Sequence, residues 1–183
     1  MDLNQWFEKG LTPENYIATL DNLKEGFTNI NEKFQIPNDD AFFQELQEKN
    51  LRVIVLAEVW CTHCMLNIPI LLHVADKANM PVRILPRDEN LDLMDQYLTN
   101  EKRIIPIFVF IDEDGNEVAK WGPMAETTRA FVAPYRDNLP PKDAEDYQEK
   151  FKEMVRATKK AFSEDENLWS GVYQSLKQTL QEV

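Results

Sequence analysis

The residues best suited to chemistry in this chain are its two cysteines, Cys61 and Cys64, which are separated by only two residues. A thiolate is a nucleophile, and a second thiol about one helical turn away can displace the group that the first has bound and close a disulfide. The pair follows an apolar run and is expected to open a helix, whose unpaired amides would lower the pKa of Cys61. The spacing therefore predicts thiol–disulfide exchange, with Cys61 as the nucleophile and Cys64 as the resolving thiol.

Two other uses of the pair stay open. A structural zinc site needs four ligands, and the only other histidine or cysteine residues in the chain are His63 and His73. His63 lies between the cysteines, where it is poorly placed to share their metal, and His73 falls on the apolar face of the following helix. The thiols could also be inert and structural. The redox interpretation needs neither a metal nor an organic cofactor, and we expect none.

The composition narrows the classes of function. The 183 residues include 20 Lys and Arg against 32 Asp and Glu, a net charge of −12, which opposes a surface for nucleic acid. No apolar run approaches the ~20 residues that span a bilayer. The first ten residues lack a basic segment followed by an apolar stretch, so we expect a cytoplasmic protein. Two cysteines are too few for a disulfide scaffold.

The elements that position the pair follow from the apolar pattern. Residues 52–59 are nearly continuous in apolarity, which predicts a strand buried on both faces. The stretch 61–79, which carries the cysteines, predicts a helix. Beyond it, the pattern predicts strands at 81–86, 105–111 and 116–121 and a helix at about 90–100. This order is typical of an α/β fold with a mixed central sheet.

Helices are predicted on both sides of this unit. Apolar residues recur every three or four positions over 11–36, where Thr12 favours a helix start, and a short helix follows to about Lys49. Similar spacing beyond residue 142 predicts two helices or one broken helix. The chain then divides into an N-terminal helical extension (1–50), an α/β domain (51–136) and a C-terminal helical extension (137–183). The apolar faces of the extensions either cover the core or dock another subunit or partner.

Further residues have the spacing of a known superfamily. Trp60 precedes the first cysteine, Pro69 lies in the following helix, and Ile105-Pro106 starts a later strand. In these features the chain resembles the thioredoxin superfamily. The resemblance implies a three-layer α/β/α fold and a cis-proline at Pro106. It also implies that Trp60 and the backbone of Ile105 bind the substrate, which pairs with that backbone like a strand.

A closer resemblance is to bacterial thioredoxin-like proteins with an N-terminal helical extension. It is carried by three motifs: Glu58 before the tryptophan–cysteine pair, Arg87-Asp88-Glu89-Asn90, and Trp121-Gly122-Pro123. The wider resemblance to the superfamily covers about residues 40–132. Of these residues, Trp121 either flanks the site or packs in the core. Arg87 is a candidate electropositive neighbour of the cysteines. Arg103 is another, with a surface ion pair as the alternative.

The chain departs from typical thioredoxins beneath the pair. The buried aspartate of the family is replaced by Val55, and the lysine that accompanies it aligns with Ile84. Losing both together avoids an unpaired buried charge. Glu58 is then the only nearby carboxylate of the strand, and it serves either as the proton acceptor for Cys64 or as a solvated glutamate at the rim.

The two residues between the cysteines are Thr62 and His63, where thioredoxin has Gly-Pro. A histidine before the second cysteine resembles the strongly oxidising members of the fold. Its imidazolium, or a hydrogen bond from it, would stabilise the Cys61 thiolate and raise the reduction potential. We therefore expect a potential between about −270 mV, that of thioredoxin, and about −120 mV, that of the oxidant.

Two functions remain after these comparisons. The first is a thiol–disulfide oxidoreductase that acts on a protein or small-thiol disulfide and takes electrons from a reductase or a low-molecular-weight thiol. The second is a non-catalytic module that senses redox state through the cysteine pair and docks a partner through its helical extensions. Either could form oligomers through those extensions.

Overall fold

A four-stranded sheet forms the centre of the fold. The structure, a computed structural model, describes residues 2–183. The strands are β1 (Arg52–Ala57), β2 (Val82–Pro86), β3 (Ile107–Ile111) and β4 (Glu117–Trp121). Their order is β2-β1-β3-β4; β1 and β2 run parallel, and the other two pairs are antiparallel. The predicted mixed sheet is confirmed, with β3 beginning two residues later than expected, directly after Pro106.

Within residues 2–183, nine α-helices flank this sheet in the predicted α/β/α arrangement. They are α1 (Leu3–Lys9), α2 (Pro13–Ala18), α3 (Lys24–Lys33), α4 (Asp40–Glu48), α5 (Thr62–Lys77), α6 (Leu91–Met94), α7 (Glu126–Asp137), α8 (Tyr147–Glu164) and α9 (Glu166–Gln181). Helix α5 is the crossover that a parallel β1–β2 pair requires. It begins directly after Cys61, so the end of β1 and the start of α5 together place the cysteine pair.

The prediction of one helix over 11–36 is wrong. The structure has two helices there, α2 and α3, and α1 before them was not predicted. Thr12 caps α2 as expected, accepting a hydrogen bond from the amide of Asn15. Between the helices, the Thr19 hydroxyl donates to the carbonyl of Tyr16 and competes with helix propagation. Leu20 and Leu23 are buried within the break, so the apolar spacing continues where the helix does not.

The predicted helix at about 90–100 is also wrong in length. Only a 3₁₀ turn (Arg87–Glu89) and the single turn of α6 are helical. The chain then reverses, with positive φ angles at Asn100 and Glu101 and a bridge between Thr99 and Lys102. The apolar residues of this stretch are buried, namely Leu93, Met94 and Tyr97. Their spacing therefore arises from contact with the core and not from a long helix.

The two extensions share one hydrophobic core with the sheet. Leu11 pairs with Ile84 through two backbone hydrogen bonds of 2.8 and 2.9 Å, which covers the outer edge of β2. Helix α3 packs on α5 and α8, and α9 packs on α5 and α7. The Cα of Gly26 lies so close to Met65 of α5 that a Cβ there would overlap its sulfur. The extensions thus cover the core, which is the first of the two roles predicted for their apolar faces.

Candidate active site

Cys61 is the N-terminal cap of α5. Its sulfur accepts a hydrogen bond from the amide of Cys64 at 3.3 Å and lies 3.8 Å from the carbonyl oxygen of Ile105. The hydrogen bond from the Cys64 thiol lowers the pKa of Cys61 most, and the amides of Cys64 and His63 and the charge of Arg87 act in the same direction. Together they outweigh burial, which acts oppositely. Cys61 therefore forms a thiolate more readily than an ordinary thiol does.

Cys64 has the opposite character. It has no exposed surface, whereas 7% of Cys61 is exposed. Burial raises the pKa of Cys64 well above the ordinary value for a thiol, and the hydrogen bond to Cys61 and the charges of Cys61 and Glu58 add to this effect. The pair therefore consists of one thiol with a lowered pKa that keeps slight exposure and one thiol with a raised pKa that is fully buried.

A cis peptide bond joins Ile105 to Pro106, as the sequence predicted. It precedes β3 and presents the carbonyl of Ile105 to the sulfur of Cys61. Gly122, whose own bond to Pro123 is also cis, lies directly against this segment at a φ of 128°. A Cβ at Gly122 would overlap the carbonyl oxygen of Pro106. Only glycine fits there, which gives the Trp-Gly-Pro motif a physical role in holding the backbone beside Cys61.

The exposed Trp60 and the half-buried Arg87 lie together beside the pair. Trp60 is 57% exposed, and the guanidinium of Arg87 lies 5.1 Å from the centre of its ring. Arg87 also donates to the carboxylate of Asp88 at 2.9 Å and to the carbonyl of Arg103 at 3.0 Å. The cation is thus held at a fixed position over the aromatic face. Sequence reasoning selected both residues but missed their contact, because they belong to different strand–helix junctions.

Glu58 is not a solvated glutamate at the rim, which was one of its two predicted roles, since only 9% of it is exposed. Its carboxylate accepts a hydrogen bond from the amide of Asp88 at 2.8 Å. Its backbone carbonyl accepts one from the hydroxyl of Tyr16 at 3.2 Å. The carboxylate is thus tied to the 3₁₀ turn, close enough to Cys64 for its charge to raise the pKa of that thiol.

The expectation of an imidazolium at His63 is wrong at neutral pH. Burial lowers the pKa of His63 to about 4, and the nearby charge of Arg136 contributes. Thr62, the first residue of α5, is partly exposed. What His63 supplies to Cys61 is its backbone amide, which lowers the pKa of the thiol. An imidazolium therefore does not stabilise the Cys61 thiolate at neutral pH, and the expected reduction potential stays a prediction.

The remaining candidates lie away from the sulfurs. Trp121 stacks on Phe108 at 4.9 Å and donates to the hydroxyl of Ser175, so it packs in the core. Arg103 forms the surface ion pair with Asp95, through contacts of 2.6 and 3.0 Å. His73 contacts the carbonyl of Asn31 at 2.8 Å. Among residues 2–183 no three histidine, cysteine or acidic side chains converge as a metal site would require.

Comparison with known proteins assigns the chain to a family. A family model for thioredoxin matches residues 10–144, more than half of the chain. The chain belongs to the thioredoxin family. Comparison with curated proteins finds no match.

Two solved structures resemble this thioredoxin-family chain in fold. The crystal structure of an HIV epitope-scaffold is 16% identical, with a TM-score of 0.69 over 100% of this chain and 99% of that one. A protein of unknown function from Pseudomonas aeruginosa is 18% identical, with a TM-score of 0.62 over 89% of this chain and 95% of that one. At these identities the likeness concerns the fold alone.

The departure from typical thioredoxins is visible in the sheet. Val55 of β1 and Ile84 of β2 are partners in register, and neither has exposed surface. The two positions are thus neighbours in the sheet, and their alignment with the aspartate and lysine of the family stays a prediction. An apolar contact fills this part of the sheet. Glu58, which directly follows β1, is the carboxylate nearest to the pair along the chain.

Removal of the Arg87 charge tests its action on Cys61. Because that charge lowers the pKa of Cys61, we expect Arg87→Ala to raise it. Alkylation by iodoacetamide near neutral pH should slow by about two- to threefold, the size of a partly screened charge pair. The difference should shrink in high salt. Arg103→Ala is the matched control, since Asp95 holds that guanidinium. Unchanged or faster alkylation of Arg87→Ala would show that the charge of Arg87 does not lower the pKa of Cys61.

Among residues 2–183 no helix is long and apolar enough to cross a membrane.

Proposed function

We propose that this protein is a thiol–disulfide oxidoreductase that exchanges a Cys61–Cys64 dithiol with a protein or low-molecular-weight disulfide. One observation carries the proposal: Cys61 caps α5, accepts the amide of Cys64 and keeps 7% exposure, whereas Cys64 has no exposed surface. This arrangement lowers the pKa of Cys61 and raises that of Cys64. Membership of the thioredoxin family supports redox chemistry of this kind.

The exchange takes two steps. The Cys61 thiolate attacks one sulfur of the substrate disulfide, forming a mixed disulfide and releasing the first substrate thiolate. This step removes the charge of Cys61, one of the groups that raise the pKa of Cys64. Cys64 then loses its proton and attacks the sulfur of Cys61. The second substrate thiolate leaves, the two released sulfurs take up protons, and two electrons have passed from the protein to the substrate.

The surroundings of Cys61 suit an extended peptide. The cis bond at Pro106 presents the backbone of Ile105 next to the sulfur, where a substrate strand can pair with it. Trp60 offers an exposed aromatic face with the charge of Arg87 held over it. We propose these groups as the substrate-binding surface, and Glu58 as the carboxylate that relays the proton of Cys64.

A complete cycle needs a second reaction. The Cys61–Cys64 disulfide must be reduced again by two electrons, which we assign to a low-molecular-weight thiol or to a reductase. Such donors are abundant in the cytoplasm, and we propose that the protein acts there.

The alternative, a redox-sensing interaction module, draws on one observation. A cleft of about 340 Å³ lies between α7 and α8 and is lined in part by Tyr135 and Met154. Tyr135 is 38% exposed, and the neighbouring Phe151 is 39% exposed. In this function the cleft would bind a partner, and the cysteines would report redox state without turnover.

Reduction of insulin by dithiothreitol separates the two functions. As an oxidoreductase, the wild-type protein accelerates the reaction, and Cys61→Ser reduces the rate to that of dithiothreitol alone. A wild-type rate equal to the background would contradict the proposal. Partner binding that survives replacement of both cysteines by serine would then favour the module.

A further inference from the structure

The C-terminal extension reaches the active-site helix at His63. The ring of Phe162 in α8 lies 5.0 Å from the imidazole, at an angle of 59°. Phe162 has no exposed surface and lies 6.3 Å from Phe131 of α7. An aromatic cluster made by two later helices therefore covers the residue that directly precedes Cys64.

This environment is unfavourable for a charged imidazole. The Nδ1 atom of His63 is buried and has no hydrogen-bond partner. A protonated ring carries a donor on each nitrogen, so one N–H would be left buried and unsatisfied. The charged group that acts on His63 from a neighbouring helix is Arg136 of α7, whose positive charge opposes a second one. On its own helix the titratable neighbours are Cys61 and Cys64.

We propose that Phe162 is a positioning residue of the redox site: by covering His63 it keeps the imidazole uncharged and withholds a cation from the Cys61 thiolate. The inference rests on the proposed function, in which that thiolate is the reactive form. A charged imidazole would stabilise the thiolate, favour the dithiol over the disulfide and make the pair more oxidising. The C-terminal extension therefore holds the pair at a more reducing potential than the residues between the cysteines alone would set.

The protonation of His63 can be followed directly by NMR. The chain has two histidines, so the ring signal missing from His63→Gln identifies His63. In the wild type this signal stays constant from about pH 8 to about pH 5.5, a range in which an ordinary histidine titrates. In Phe162→Ala, where more of the ring is exposed to water, it titrates within that range. A wild-type signal that titrates near the ordinary pKa of histidine would overturn the proposal.

Two variants guard against a loss of folding in Phe162→Ala. Phe162→Leu keeps an apolar side chain but uncovers part of the imidazole, and it should shift the His63 titration in the same direction by less. Arg136→Gln alters an exposed side chain and should raise the titration midpoint slightly, because burial is the larger effect. If neither variant changes the midpoint, the contact with Phe162 and the charge of Arg136 do not control the pKa of His63.

The effect on Cys61 needs a second readout. At about pH 5.5 we expect Phe162→Ala to be alkylated at Cys61 about threefold faster than the wild type, the factor for half a unit of pKa. The increase should vanish in Phe162→Ala/His63→Gln, where no imidazole remains. An equal increase in both variants would mean that Phe162 limits access only, and would overturn the proposal.

Neither measurement uses a substrate, so failure of the inference can be distinguished from failure of the proposed function. Insulin reduction that proceeds with no effect of Phe162 on His63 contradicts the inference alone. A His63-dependent change in Cys61 without any insulin reduction contradicts the oxidoreductase and leaves the role of Phe162 intact.

Discussion

Cys64→Ser should accumulate a mixed disulfide on Cys61. In this variant the first attack still proceeds, because Cys61 keeps its place at the start of α5 and the hydrogen bond from the backbone amide of residue 64. The second attack cannot occur without a thiol at that position. Incubated with oxidised glutathione, the variant should gain one glutathione by mass spectrometry, whereas the wild type should release it and form the internal disulfide.

Cys61→Ser is the matched control for this trap. Its only remaining thiol, Cys64, has no exposed surface, so its reaction with glutathione should be slower by more than roughly a thousandfold, as when a catalytic nucleophile is removed. Rapid glutathione addition to Cys64 in this variant would show that the enclosed thiol is accessible. The division of roles between nucleophile and resolving thiol would then be wrong.

Val55→Asp should destabilise the protein strongly. The side chain points into a fully buried part of the sheet, and its register partners, Ile84 and Phe108, are apolar and have no exposed surface. Neither register partner is a cation, and the basic residue of β2, Arg83, pairs with Ile54 on the opposite face of the sheet. Urea denaturation should show a loss of about 3–5 kcal/mol in the free energy of unfolding, the cost of an unpaired buried charge.

The loss of stability in Val55→Asp should depend on pH. In the unfolded chain the new aspartate ionises near its ordinary pKa, whereas burial raises its pKa in the folded state. Between these two values the folded state holds a proton that the unfolded state has released, so the free energy of unfolding falls as pH rises. The deficit should be larger near pH 8 than near pH 5. Val55→Asn, which cannot ionise, should lack this dependence relative to the wild type.

Stability of Val55→Asp equal to that of the wild type near pH 8 would contradict the apolar description of this region. It would mean that water or a cation reaches the space beneath the cysteine pair, as the aspartate of typical thioredoxins requires. The proton pathway from Cys64 would then need a different description from the one centred on Glu58.

The strands, the active-site helix and the cysteine pair could be predicted because their signals are local. The apolar residues 53–57 are buried in the sheet, and Cys61 caps α5 through a hydrogen bond within the first turn of that helix. The cis bond at Pro106 was predicted from the spacing of a family resemblance. The division at residues 50 and 136, and the closer likeness to bacterial thioredoxin-like proteins, remain predictions.

The errors arose where distant segments decide the outcome. The neutral state of His63 depends on Phe162, a residue from a helix near the other end of the chain, and nothing in the local sequence reports that contact. Leu20 and Leu23 look helical because they are buried, yet they lie in a break between helices. The amide of Asp88 meets Glu58 only after β1 and β2 have paired.

Equilibration in glutathione redox buffers tests the central claim most directly. The dithiol and disulfide forms of the wild-type protein are quenched with acid, and free thiols are counted by mass spectrometry after alkylation. We predict a single reversible two-electron transition in which Cys61 and Cys64 are lost together as one internal disulfide. Accumulation of a stable glutathione adduct on Cys61, with Cys64 still reduced throughout, would contradict it.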